Sequence, residues 1–446
     1  MPSFDTSSDT NTDNGDTDAT ELPITRVDEA FKCAFLYRGR PGSDFLGRTD
    51  LFVMDSLNPK PVNVTGDRGW SCQDGCRLGP DFAILGVFLL SNKPDVPPDM
   101  NLYSLNKDMR PADSPIRTVK GIQNAHFGKN VLYFTRKGSC PKDPAIANTY
   151  CMYSLSLPLD KNTREKQIFT FPGTTQDAKN SQYNGSFRVA PDGKAILLLN
   201  PTYSSQEVFI WNNGKLRQMG QDICYVSNDK GQCLPTGSDF RYTDMDPMGM
   251  APDGSVIITA LVENDRDLRL RKFETDPAKP VTYSDFYSVA GSYTNLKCNK
   301  KLRQPWQYTD IDGDLHFTKD SKAVVFIASM PCDNAEKPWT DIVKIDVDRI
   351  GNGQPLTRDS IFQITRNPQV NASKATRIKD FTFSPSGKFI AFIGTPLLQT
   401  DGSPVSSTGT RHINDLEIYF ISADGSSVPL QVTNSLDYMA VRLWVK

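Results

Sequence analysis

Histidine is scarce in this sequence: His126, His316 and His412 are the only three in 446 residues. Nine cysteines are present, yet no two stand in a Cys-x-x-Cys pair, so the usual ligand pattern of a zinc site is missing. Charge of one sign is not in excess either. Fifty Lys and Arg face 52 Asp and Glu, a net of −2. A dedicated nucleic-acid binder carries a basic surplus, so no nucleic-acid partner is expected. No run of roughly 18 apolar residues occurs, so the sequence holds no candidate transmembrane helix. Two catalytic signatures are absent as well, the Gly-x-Ser-x-Gly elbow and the glycine loop that cradles phosphate.

The first 22 residues, MPSFDTSSDTNTDNGDTDATEL, are almost all Asp, Thr, Ser, Asn and Gly. Such a segment cannot bury enough surface to offset its ordering entropy, which predicts a disordered tether over 1–22. It lacks the apolar core of a signal peptide. It resembles the polar tether that follows a cleaved signal or a lipidated cysteine, which would place a lipid anchor upstream. A ragged cytosolic tail is the other reading.

What the chain has in plenty is one recurring string. SFRVAPDGKAILLLN (186–200) returns as MGMAPDGSVIITAL from 248, LHFTKDSKAVVFIAS from 315 and FTFSPSGKFIAFIG from 381. Each places a Pro-Asp-Gly-like turn between short apolar runs, the mark of a β-hairpin. Weaker copies lie near 76 and 125. A third strand follows each hairpin, as in DLFVMD (50–55), DIVKID (341–346) and LEIYFI (416–421). A short fourth follows that, as in PVNVT, QIFTF, IFQIT and LQVT. The count is seven units of four strands, each about 60 residues long, which predicts an all-β, seven-bladed β-propeller over residues 23–446 as one domain. The ends fit each other. The first unit starts at its second strand, AFKCAFLY, and the chain finishes on a lone strand, YMAVRLWVK. Residues 437–446 are therefore expected to pair beside residues 30–37 and close the ring, which removes an open edge.

The hairpin F-x-x-S/A-P-D/S-G-K-x-I/V-x-F followed by D-I/L-x-x-x-D resembles the WD-like repeat of TolB-type propellers, over residues 24–446. The resemblance implies the fold and says little of function. Its relatives include periplasmic interaction proteins, oligogalacturonate lyases and the propellers attached to prolyl-oligopeptidase-type hydrolases.

In a propeller the loops between strands 2 and 3 share a face with the connectors between blades. Here those segments are long, notably 136–148, 329–339, 395–414, 221–246 and 284–314, while turns at the other face are tight. Long loops gathered on one face mark a working surface. Most cysteines fall there too, which suits disulfides in an oxidising compartment. The expected pairs are Cys140 with Cys151, Cys224 with Cys233, and Cys298 with Cys332. Cys72 and Cys76 are a further, strained candidate, and Cys33 is expected to stay a buried free thiol. Sequons at Asn63, Asn184 and Asn371 would matter only in a eukaryotic secreted protein.

Two connectors end alike, in RYTDMD and QYTDID. They are expected to bring Tyr242, Asp244, Asp246, Trp306, Tyr308, Asp310, Asp312 and Asp314 to the channel mouth. Such a cluster suits a basic peptide, or a calcium ion with its preference for several oxygens. Asp and Thr capping turns at a solvated rim is the plain alternative, and the closing glutamate of a calcium loop is missing, since Ala323 stands there. On the innermost strands Arg77, His126, Arg188 and His316, with Gly249, Thr382 and Arg442 at matching positions, are expected to line the channel.

The functional expectation is a non-catalytic binding propeller, periplasmic, cell-surface or secreted, that engages a protein or peptide partner through the loop face. The alternative is a metal-dependent lyase of the oligogalacturonate type, or a carbohydrate-binding propeller, and the lyase would have to draw its metal ligands from His126, His316 and His412.

Overall fold

The computed structural model describes residues 23–38, 49–68, 70, 72, 75–89, 96–138, 140–141, 149–160, 162–170, 187–190, 192–201, 206–212, 214–218, 248–262, 268–276, 282–285, 310–330, 339–352, 356, 360–365, 378–395, 416–433 and 440–445. The strands form seven four-stranded antiparallel sheets, the blades of a seven-bladed propeller. Blade 1 holds β1 (Lys32–Arg38), β2 (Thr49–Asp55) and β3 (Val62–Asn63). Blade 2 holds β4 (Cys76–Leu78), β5 (Ile84–Leu89), β6 (Asp99–Ser104) and β7 (Arg117–Val119). Blade 3 holds β8 (Asn124–Gly128), β9 (Val131–Gly138), β10 (Thr149–Ser156) and β11 (Lys166–Thr170). Blade 4 holds β12 (Phe187–Val189), β13 (Ala195–Pro201), β14 (Gln206–Asn212) and β15 (Lys215–Gln218). Blade 5 holds β16 (Met248–Met250), β17 (Val256–Val262), β18 (Leu268–Glu274) and β19 (Thr282–Asp285). Blade 6 holds β20 (Asp310–Phe317), β21 (Ala323–Met330), β22 (Trp339–Asp346) and β23 (Ile361–Gln363). Blade 7 holds β24 (Ile378–Phe383), β25 (Phe389–Gly394), β26 (Glu417–Ser422) and β27 (Leu430–Gln431).

The last strand, β28 (Ala440–Val445), takes the innermost place in blade 1. It pairs antiparallel with β1 in the register Cys33↔Val445, Ala34↔Trp444 and Phe35↔Leu443, with a bulge before Tyr37↔Ala440. The ring closes as the sequence suggests. A second closure was not expected. Residues 23–31 form a strap that ties blade 7 to blade 1. Ile24 makes a parallel bridge with Val428, and the Thr25 hydroxyl bonds Ser427 Oγ at 2.6 Å. Farther along, the Glu29 carboxylate accepts from Ser384 Oγ and from the Ser386 N–H, each at 3.0 Å, and also from the Ser386 hydroxyl. Ser56 anchors the far end: its hydroxyl donates to the Glu29 carbonyl at 2.7 Å and accepts from the Phe31 N–H at 2.9 Å.

Among the described residues there is no single core. The buried apolar residues fall into seven clusters, one at each seam between neighbouring blades. Alternation along a strand sends successive side chains to opposite faces. Val324, Phe326 and Ala328 of β21 therefore pack toward blade 5, and Val325 and Ile327 toward blade 7. Both faces being buried, the second strand of each blade is a continuous apolar run, AVVFIA or FIAFIG, rather than an alternating one.

The repeated turns obey one hydrogen-bond scheme. In the third blade-to-blade neighbour pair, Asp192 Oδ1 accepts from the Lys194 N–H at 2.8 Å, and the Gly193 N–H donates to the Ala190 carbonyl at 2.8 Å. Gly193 has φ +76°, and an added Cβ would lie 2.8 Å from the Lys129 nitrogen of blade 3. Glycine is required there twice over, for the dihedral and for the close approach of the preceding blade's turn.

Candidate functional site

The long segments leave from one face, where second strands end and third strands begin. Of the acids and aromatics expected at the channel mouth, Tyr242, Asp244, Asp246, Trp306 and Tyr308 lie outside the described residues. Asp310, Asp312 and Asp314 are placed within β20 rather than before it. The strand starts early because β21 runs to Met330 and gives Asp310 a partner in Ser329; the register then shifts between Asp312 and His316. Among the described residues no group of three or more His, Cys, Asp or Glu is arranged to hold a metal ion. Of the acids named for calcium, Asp244 and Asp246 lie outside that set.

The four residues expected to line the channel occupy matching places on innermost strands, and three of them reach sideways to the next blade. Arg77 Nε donates to the Ala125 carbonyl at 3.3 Å, Nη1 donates to its neighbour Cys76 at 2.9 Å, and the guanidinium lies 5.7 Å from the Phe88 ring centre. The His126 ring meets Phe187 edge-on at 4.9 Å, and the His316 ring meets Phe381 at 4.6 Å. Blade 5 has Gly249 at this place. A Cβ there would stand 2.6 Å from the Leu315 carbonyl oxygen of blade 6. The same direction is thus taken in four blades, toward the residue just before the matching position of the next one. Arg188 holds the matching place on β12, opposite Leu197, and is half-buried like the others. These side chains brace adjacent innermost strands while part of each stays exposed.

Two disulfides sit on the long-loop face. Cys140–Cys151 closes the loop between the second and third strands of blade 3, with an S–S distance of 2.03 Å. Cys72–Cys76 joins the blade 1 to blade 2 connector to the start of β4, and the Cys72 N–H donates to the Thr49 carbonyl at 2.7 Å. Cys224, Cys233, Cys298 and Cys332 lie outside the described residues. Cys33 is a buried free thiol, and burial first, then the nearby Asp380 charge, pushes its pKa far up. Such a thiol is inert at neutral pH. Replacing Cys140 and Cys151 by Ser should cost about 3 kcal/mol in the chain-entropy account. Urea unfolding of the unreduced pair of proteins measures it, and an unchanged midpoint would show that the bridge constrains nothing.

At the opposite, tight-turn face the strap roofs a pocket of about 530 Å³ between blades 6 and 7. No sequence signal marked it, because its walls come from the strap, from β20 to β22 and from β24 to β26. One trace was visible: the blade 7 turn reads Ser-Pro-Ser-Gly where others carry Asp, and those serines receive Glu29. Burial opposes ionisation of Glu29, but hydrogen bonds from Ser386 and Ser384 and the Lys388 charge outweigh it and hold its pKa below the ordinary value.

No family model matches the chain, and no curated protein matches it. Solved structures are similar to it in fold. A prolyl endopeptidase gives a TM-score of 0.50 at 9% identity, over 94% of this chain and 50% of its own. The periplasmic gluconolactonase PpgL of Pseudomonas aeruginosa gives 0.47 at 11% identity, over 94% of this chain and 99% of its own. TolB from Acinetobacter baumannii gives 0.40 at 12% identity, over 93% and 66%. The chain thus spans half of the endopeptidase and about two thirds of TolB.

Proposed function

We propose that this propeller is a non-catalytic scaffold outside the cytoplasm that engages a protein or peptide partner through its long-loop face. The observation that carries the reading is the placing of both described disulfides: each pins strand ends on the face from which the long segments leave. Disulfides persist in oxidising compartments, and a stapled platform lowers the entropy lost when a partner docks. Among the described residues no helix is long and apolar enough to cross a membrane. Against the metal-dependent lyase stand His126 and His316, each turned onto an aromatic ring in a separate seam, in blades 3 and 6. Metal analysis of purified protein tests this cheaply, since a bound transition metal would favour the lyase.

The direct test is Trp306→Ala with Tyr308→Ala, together with a photo-reactive residue at position 308. Aromatic anchors at an interface are worth about 2 kcal/mol or more, roughly a 30-fold loss of affinity. A cross-linked partner that is lost in the double variant, with melting unchanged, is the expected result. Lower melting with partner affinity intact would assign these aromatics to the connectors' own packing and move the binding face elsewhere.

A further inference from the structure

The pocket under the strap has donors to spare. Arg26, Lys344 and Lys388 line it, yet among the described residues none accepts a hydrogen bond from the Arg26 guanidinium or from either ammonium group. Lys344 instead lies 4.8 Å from the centre of the Phe362 ring. Two of the carboxylates nearby, Glu29 and Asp424, are already engaged, while Asp28 of the strap faces the same lining. Glu29 takes its bonds from Ser384 and Ser386, and Asp424 accepts from the Ser426 N–H at 3.0 Å. The serine bonds, the Lys388 charge at Glu29 and the Lys344 charge at Asp424 keep both acids ionised and occupied. Val325, Phe383 and Phe389 give the same lining its apolar part. Three cations against Asp28 and Asp424 leave the lining with a formal charge of +1. The volume falls among those of small-molecule sites, about 300–1,000 Å³.

We propose that this pocket binds a small monocarboxylate with an aliphatic or aromatic body, its charged end held by Arg26, Lys344 and Lys388 and its body laid on Phe383 and Phe389. The single negative charge matches the +1 lining, and the apolar part requires more than a bare anion. The strap makes the site: Arg26 and Asp28 belong to it, while the other walls are supplied by blades 6 and 7. This site is on the face opposite the proposed partner surface and does not depend on that reading.

The probe is 3-phenylpropionate, titrated calorimetrically into the full chain at low salt. Binding should weaken with added salt, as a charge-dependent contact does. 3-Phenylpropanol, with the same body and no charge, should bind at least about tenfold more weakly. Lys344→Gln with Lys388→Gln should lower the affinity for 3-phenylpropionate about tenfold or more. Arg26→Gln, which removes no contact within the described protein, should lower it as well and guards against a variant that disturbs the strap. No binding of 3-phenylpropionate at millimolar concentration, or equal binding by the charge variants, would overturn the proposal. Tighter binding of phenyl phosphate would overturn the assignment to a monocarboxylate.

Discussion

A chain shortened by residues 440–446 is expected to self-associate through its opened edge and to lose most of its stability. Among the described residues β28 is the sole partner of the inner edge of β1. Without it the N–H and C=O groups along that edge have no partner inside the ring, and an unpaired edge is a template for another chain. Cys33 and Phe35, no more than 1% exposed, belong to the seam between blades 7 and 1 that this strand covers. The loss should reach about 5 kcal/mol or more, comparable with the whole stability of many domains. Light scattering and urea unfolding read both effects. A milder variant, Leu443→Pro, puts a residue poorly suited to a strand opposite Phe35 and should weaken the same seam in part. A truncated chain with the scattering and the midpoint of the full chain would show that the ring holds without this strand.

Thr365→Val should be the most costly single change of nearly constant volume, about 3 kcal/mol. The Thr365 hydroxyl accepts from the Ile342 N–H at 3.0 Å and donates to Asp341, which is fully buried. Valine fills the same space but leaves a buried N–H and a buried carboxylate each short of a partner, at about 1–3 kcal/mol for each group and more for a charge. The device recurs. Thr65 serves Leu51 and Asp50 in blade 1, and Thr433 serves Ile418 and Glu417 in blade 7. Thr365→Ser keeps the hydroxyl and should cost far less. Valine and serine variants of equal stability in urea would mean that the carboxylate has other sufficient donors.

That motif shows what the sequence makes legible and what it hides. Asp-Leu, Asp-Ile and Glu-Ile can be read as starts of third strands, and Val-Thr and Ile-Thr as ends of fourth strands, because propensity and spacing are local. The bond joining them spans 15, 24 and 16 residues in the three blades, and no period reveals it. The blades and the ring closure were readable because seven copies of one pattern reinforce each other. The strap was not, since Glu29 and Ser386 stand 357 positions apart and the strap has no repeat to betray it. The innermost-strand residues fall between these cases. Their matching positions follow from the repeat, but their sideways reach depends on how closely blades approach, as Gly249 against Leu315 makes plain.

The pairing of β1 with β28 also sets a timetable for biosynthesis. Arg38 and Ala440 are 402 positions apart (440 less 38), so the two halves of blade 1 are made at very different moments. At about 5–20 residues per second the wait is roughly 20–80 s. Throughout that interval the six later blades can assemble in turn, each from strands that emerge together. The first cannot. Its inner edge stays open beside the ribosome or the secretion pore, and any pause late in the message lengthens the exposure. The arrangement that leaves the finished ring without an edge there thus makes the nascent chain depend on chaperone cover until its final strand arrives.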